Sequence, residues 1–191
     1  MTAEYKLSLP MLSADSAGTD GKAVLDKAKK QVGFIPNMYA GMVNSPGLLE
    51  TYLDGYERFR KGSGLASAEQ EVVFLVISRG NDCDYCVAAH SMIADNMSRV
   101  PVDVTNAIRD GRQIPDAKLA ALAAFTEKMR VSGGRPSNAD VSSFLAAGYE
   151  ERHILEIILA IATKTISNYF NHVFHTPLDD MFAGRSWKHA A

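Results

Sequence analysis

Apolar residues recur at spacings of three and four along most of this chain, in stretches divided by glycine and proline. That pattern is the signature of amphipathic helices, since three or four residues bring a side chain back to the same helix face. Val24, Leu25, Ala28 and Val32 share one face of a stretch from Gly21 that stops at Gly33, with Pro36 confirming the break. Asn37 to Val43 reads as a short helix. Ser45-Pro46 opens the next, with a cap residue followed by proline at the first helical position. Leu48, Leu49, Tyr52, Leu53, Tyr56 and Phe59 form its stripe, and Gly62 and Gly64 close it. The stripe suits either core or a subunit contact. Ser67 opens a further helix, Asn81-Asp82 caps one that carries both cysteines, and Pro101 opens a short one that Gly111 stops. Further helices are read over Asp116 to Arg130, Asn138 to Ala147 and Glu150 to Phe174. No hairpin signal occurs. The expectation is an all-α fold of eight to ten helices. Residues 1–20 form an extended arm able to wrap a neighbouring subunit, and 21–191 form a single all-helical domain. One segment resists this reading. Val72 to Ile77 is entirely apolar and rich in β-branched residues, and by itself fits a buried strand or a buried helix.

A chain of 191 residues can bury a proper core without staples. Its net charge of -2 argues against a nucleic-acid partner, which calls for a basic field, and gives no attraction to anionic membranes. No apolar run is long enough to span a bilayer, and Met1 to Leu9 lacks the pattern of a signal peptide. A cytoplasmic location is the expectation. Two cysteines are too few for a disulfide scaffold, and three residues apart in a reducing compartment they suggest chemistry or metal.

On a helix Cys83, Cys86 and His90 stand at i, i+3 and i+7, all on one face. In the first turn the helix dipole and unpaired N–H groups favour a thiolate. His90, one turn beyond Cys86, is placed to take its proton and return it. Asp82 and Asp84 act in the opposite sense and are expected to face solvent. A thiolate so placed can attack a peroxide O–O bond, and the second cysteine can condense with the sulfenic acid to give a disulfide. A reductant then reopens the bond by thiol exchange.

Other readings compete. A Cys-x-x-Cys pair can be half of a zinc site, but no second pair supplies the remaining ligands. A c-type haem needs histidine where Val87 stands, and a thioredoxin-like sheet needs strands the chain does not offer. Two unreactive buried thiols are the plainest alternative.

The stretch from Leu65 through Glu71 and Val72 to Ser78, running into Cys83-Asp84-Tyr85-Cys86 and His90, resembles the core of the alkylhydroperoxidase D and carboxymuconolactone decarboxylase superfamily. Phe34-Ile35-Pro36-Asn37, Ser45-Pro46, Gly148 and the Asn168 to Leu178 tail resemble its longer peroxidase-related branch. The resemblance implies an all-helical fold with a duplicated helical unit. It therefore makes Val72 to Ile77 a helix, within a core at 65–97 and a pseudo-repeat at about 149–178. A shift of 82 residues, which sets Cys83, Cys86 and His90 on Thr165, Asn168 and His172, agrees with such a duplication.

The resemblance also implies roles. Cys86 is the peroxide-attacking residue, Cys83 the resolving one, and Glu71 with His90 a proton relay through water. The activity implied is thiol-dependent hydroperoxide reduction with no bound cofactor or metal. The reductant is an external dithiol or a lipoylated protein, and the assembly a homo-oligomer, trimer or hexamer. A redox sensor, a protein disulfide oxidoreductase and a lyase-like enzyme remain alternatives. The decarboxylase branch lacks the cysteine pair that this chain has. His172 and Asn168 are read as structural or interfacial, and Tyr85 and Trp187 as packing residues.

Overall fold

The ambiguous segment lies at the centre of the molecule. In the computed structural model, which describes residues 4–189, Val72 to Ile77 forms the middle of α4 (Ser67–Gly80) and is buried throughout. A helix apolar on every side must be enclosed. Here α5 (Asp84–Asn96), α6 (Val102–Asp110), α7 (Ala117–Ser132) and α9 (Glu151–Phe174) all pack on it. No strand occurs among the described residues, and the backbone groups of this segment pair along the helix and into the turn that follows it. Glu69, not Glu71, serves the start of α4, accepting from the Ala66 N–H at 2.8 Å.

The remaining helices are α1 (Gly18–Val32), α2 (Asn37–Met42), α3 (Pro46–Gly62) and α8 (Asn138–Ala146). A short 3₁₀ helix, Asp180–Arg185, has no counterpart in the sequence reading. Its six residues are too few to show a period. The α3 stripe is core: Leu49, Tyr52, Leu53 and Phe59 are buried against neighbouring helices of the same chain.

The arm is shorter than the sequence reading drew it. α1 already begins at Gly18, and the segment before it runs back over its own chain. Leu7 N–H bonds the Val173 carbonyl at 2.8 Å, Leu12 N–H bonds that of Ala40 at 2.7 Å, and the Asn44 amide bonds that of Pro10. Residues 1–3 of the arm lie outside the described residues.

Apolar side chains gather into two clusters. One surrounds α4 with Phe59, Phe74, Leu122, Phe144 and Ile157. The other holds Leu25, Met42, Leu49, Leu53, Phe170 and both cysteines. Tyr56 packs on both clusters, and α9 runs through both, which puts the cysteine site at their junction. Under the shift of 82, the α4–turn–α5 unit falls on the single unbroken α9, so Thr165, Asn168 and His172 lie within a helix rather than at a helix start. Among the described residues no helix is long and apolar enough to cross a membrane.

Candidate active site

The turn into α5 places the cysteines. Asn81 and Asp82 do not cap the helix, as their residue types suggest. The Asn81 side chain is engaged elsewhere, donating to Asn168 Oδ1 at 2.9 Å and accepting from Arg130 at 3.2 Å. Asp82 takes the left-handed conformation, at φ 54°. Cys83 becomes the N-cap instead, and its Sγ accepts from the Cys86 N–H at 3.4 Å. Cys86 therefore sits in the first turn, while Cys83 stands just before it. Asp84 is held by Lys188 at 3.0 Å and by His189 at 3.2 Å, so its charge is spent on the C-terminal segment. Burial raises the Asp84 carboxyl, but Lys188 and His189 together hold it below the usual range.

Cys86 and His90 line a cavity of about 810 Å³ whose walls include Tyr39, Tyr52, Tyr56 and Phe182. Cys83 is fully buried behind it, and both thiols are free. The Asn171 amide of α9 joins the two sulfurs, donating to Cys86 Sγ at 3.2 Å and to Cys83 Sγ at 3.8 Å. The Cys86 thiol also points at Ser167 Oγ, 3.9 Å away. The two thiols are pushed in opposite directions. Burial raises Cys86, but the Cys83 hydrogen bond, the Lys164 charge, the neighbouring His90 and the Asn171 amide outweigh it, leaving Cys86 well below the usual thiol range. Burial pushes Cys83 well up, and the Cys86 charge reinforces this. A shared site thus ionises one cysteine and keeps the other protonated.

Glu71 and His90 meet directly. Glu71 Oε2 lies 2.8 Å from His90 Nδ1, so the expected relay through water is replaced by a hydrogen bond. The other carboxylate oxygen accepts from Arg60, whose guanidinium also bonds Tyr56 Oη at 2.7 Å and Gln70 at 3.2 Å. Burial raises Glu71, but His90 and Arg60 more than offset it and hold it below its ordinary value. An ionised carboxylate has no proton to give, so His90 Nδ1 must carry the hydrogen and Nε2 is left as the acceptor. Burial and the Lys164 charge keep His90 below its ordinary range despite Glu71. The ring packs against the stacked pair of Phe74, 5.0 Å away, and Tyr56, 6.4 Å away. The result is a neutral imidazole of fixed tautomer facing the cavity.

All four residues singled out from sequence, Cys83, Cys86, His90 and Glu71, thus meet in one place. Arg60, Tyr56, Lys164, Ser167 and Asn171 join them without having been anticipated. The signal for Lys164 was present: it falls on the same face of α9 as the buried Ile157, Ala160 and Asn171. Tyr85 packs edge-on against Phe182 and also donates to Asp179 at 2.5 Å. Trp187 adds a hydrogen bond to the Arg109 carbonyl at 3.1 Å. His172 stacks beside Tyr169 at 6.5 Å and plays no part in the cavity. Among the described residues no cluster of histidine, cysteine and carboxylate side chains could hold a metal ion.

Residues 46–127, which contain Glu71, both cysteines and His90, match the carboxymuconolactone decarboxylase family model. That match covers less than half of the chain, and over those residues the sequence is similar to that family. Over nearly its whole length the fold matches that of solved structures. A peroxidase-related protein with the alkylhydroperoxidase AhpD core from Ralstonia eutropha JMP134 superposes with a TM-score of 0.80 at 22% identity, covering 94% of this chain and 97% of that one. A peroxidase-related protein from Silicibacter sp. TM1040 gives 0.78 at 20% identity, covering 96% of each. The debrominase Bmp8, as a cysteine-to-alanine variant with 2,3,4-tribromopyrrole, gives 0.76 at 16% identity, covering 96% of this chain and 97% of that one. No curated protein matches the sequence. α9 and its Lys164 lie outside the stretch that the family model matches.

Proposed function

We propose that this chain is a member of the alkylhydroperoxidase D and carboxymuconolactone decarboxylase superfamily and a thiol-dependent hydroperoxide reductase. One observation carries the reading: a cysteine held toward its thiolate opens on a cavity, with a protonated cysteine directly behind it. The Cys86 thiolate attacks the distal oxygen of the hydroperoxide, the O–O bond breaks, and an alkoxide leaves. His90 Nε2, the acceptor at rest, passes to the alkoxide a proton from solvent, where the Cys86 proton went when the thiolate formed, while Glu71 fixes the ring. The Cys83 thiol then attacks the Cys86 sulfenic acid, giving a disulfide and water. An external dithiol, free or carried on a lipoylated protein, restores both thiols by exchange and leaves oxidised. No bound cofactor is required. We assign a homo-oligomeric state, supported by the exposed Leu155, Ile158, Tyr169 and Val173 along α9.

The test is hydroperoxide consumption with a dithiol reductant in wild type, Cys86→Ser and Cys83→Ser. The expected result is turnover in wild type, none in Cys86→Ser, and a trappable sulfenic acid in Cys83→Ser. A Cys86→Ser protein as active as wild type would remove the assignment.

A second reading is favoured by the aromatic cavity wall together with the likeness to the debrominase. The same thiolate could take a bromine atom from an activated aromatic ring, which gains a proton. Cys83 would then displace bromide to form the disulfide. Bromide release from a bromopyrrole with dithiol, and no hydroperoxide turnover, would favour that reading over the first.

A further inference from the structure

Lys164 stands out once the charges around the cavity are matched to partners. Its side chain is fully buried, its Nζ has no hydrogen-bond partner, and it lines the same cavity as Cys86 and His90. A buried ammonium without an anion is costly to maintain. An aromatic face, that of Phe74, has its centroid 5.7 Å from Nζ.

The obvious carboxylate is taken. Both oxygens of Glu71 are occupied, one by Arg60 and one by His90. From α3, Arg60 is neutralised by Glu71, and Tyr52 and Tyr56 are phenols that burial keeps protonated. Tyr39 of α2 and Tyr85 of α5 are likewise held protonated, above all by burial. On α5 itself His90 is neutral, and Cys83 is protonated. Among the described residues facing this cavity, the one group left to supply a negative charge is the Cys86 sulfur.

We propose that Lys164 is the counter-ion of the Cys86 thiolate, a positioning residue that α9 adds to the cysteine–histidine–glutamate set of α4 and α5. One face of α9 carries Lys164, which lines the cavity with Cys86, the hydroxyl of Ser167, which faces Cys86 Sγ, and the amide of Asn171, which donates to both sulfurs. With the thiolate present, the buried charges pair off as Arg60 with Glu71 and Lys164 with Cys86. When the disulfide forms, that second pair is broken and Lys164 alone remains charged and unmatched. Ionisation of the attacking cysteine therefore depends on a residue 78 positions further along the chain, beyond the stretch that matches the family model.

This inference rests on Cys86 as the attacking thiolate but not on peroxide as its target. The measurement is the rate of Cys86 alkylation by iodoacetamide against pH, in a Cys83→Ser background. Lys164→Met removes the charge and keeps the length. It should raise the alkylation midpoint by about one pH unit or more, as expected for loss of a close opposite charge. Lys164→Arg should keep the midpoint near that of wild type. A folded Lys164→Met protein with an unmoved midpoint would overturn the assignment. Should that variant not fold, the wild-type chain carries the test. The lysine ¹³Cε resonance of Lys164 should shift on going from the reduced pair to the disulfide, and a resonance unchanged by oxidation would overturn it equally. Loss of hydroperoxide turnover with normal Lys164-dependent alkylation would count against the peroxidase reading alone.

Discussion

Glu71 accepts from a guanidinium and an imidazole at once, and this double contact fixes both the charge of the site and the tautomer of His90. Glu71→Gln should therefore fail twice. An amide offers one acceptor where two are needed, and it leaves Arg60 without its anion. We expect hydroperoxide turnover to fall by about 10²–10⁴-fold, the usual worth of positioned proton transfer. Stability should fall by about 3–5 kcal/mol at most, the cost of breaking a buried pair, and by less here because Arg60 keeps some contact with water. Kinetics and urea unfolding measure the two effects, and unchanged turnover would exclude Glu71 from the relay. At this scale the motif was readable because Cys86 and His90 lie on one helix, where spacing alone predicts a shared face. Glu71 needed a family resemblance, since a glutamate near a helix start is ordinarily solvated. Arg60, Lys164 and Asn171 reach the site through packing of α3 and α9; the period of α9 marks the buried face that holds Lys164 but not what that face meets.

Helix α2 crosses α9 so closely that a methyl group at Gly41 would sit 2.8 Å from the rings of Phe170 and Phe174. Both rings belong to the cluster that contains the cysteines. Gly41→Ala should cost about 1–3 kcal/mol, as overpacking does. Gly47→Ala, at an open position in α3, should be neutral or stabilising by up to about 1 kcal/mol. Urea midpoints of the two variants compare them directly, and equal midpoints would deny the close crossing. The helices themselves were legible from period and punctuation, because glycine, proline and cap residues mark their ends. What local pattern could not decide was α4, whose uniform burial erases periodicity. Nor could it place the cap of α5, because Asn81 spends its amide on α7 and α9 and leaves the capping to a sulfur.

Across the whole molecule, α9 ties the two apolar clusters together and the buried polar site sits where they meet, so stability and ionisation are linked. His90 has an ordinary value of 6.5 that the fold lowers, above all by burial. Its contribution is fully present above about pH 6.5 and is lost as pH falls through the folded value, because the unfolded chain binds the proton first. Glu71, lowered from 4.5, acts in the same direction at more acid pH. The unfolding midpoint should thus decline steadily as pH drops below about 6.5, and a midpoint that rises on acidification would contradict the charge states described. The central claim is that the two cysteines form one redox unit. The most direct test mixes the reduced protein with a single equivalent of an organic hydroperoxide, counts the remaining thiols and maps the cross-link by peptide mass spectrometry. The account predicts two thiols lost per chain, one disulfide between Cys83 and Cys86, and one alcohol released. Intact thiols beside intact hydroperoxide, or hydroperoxide consumed with both thiols still free, would contradict it.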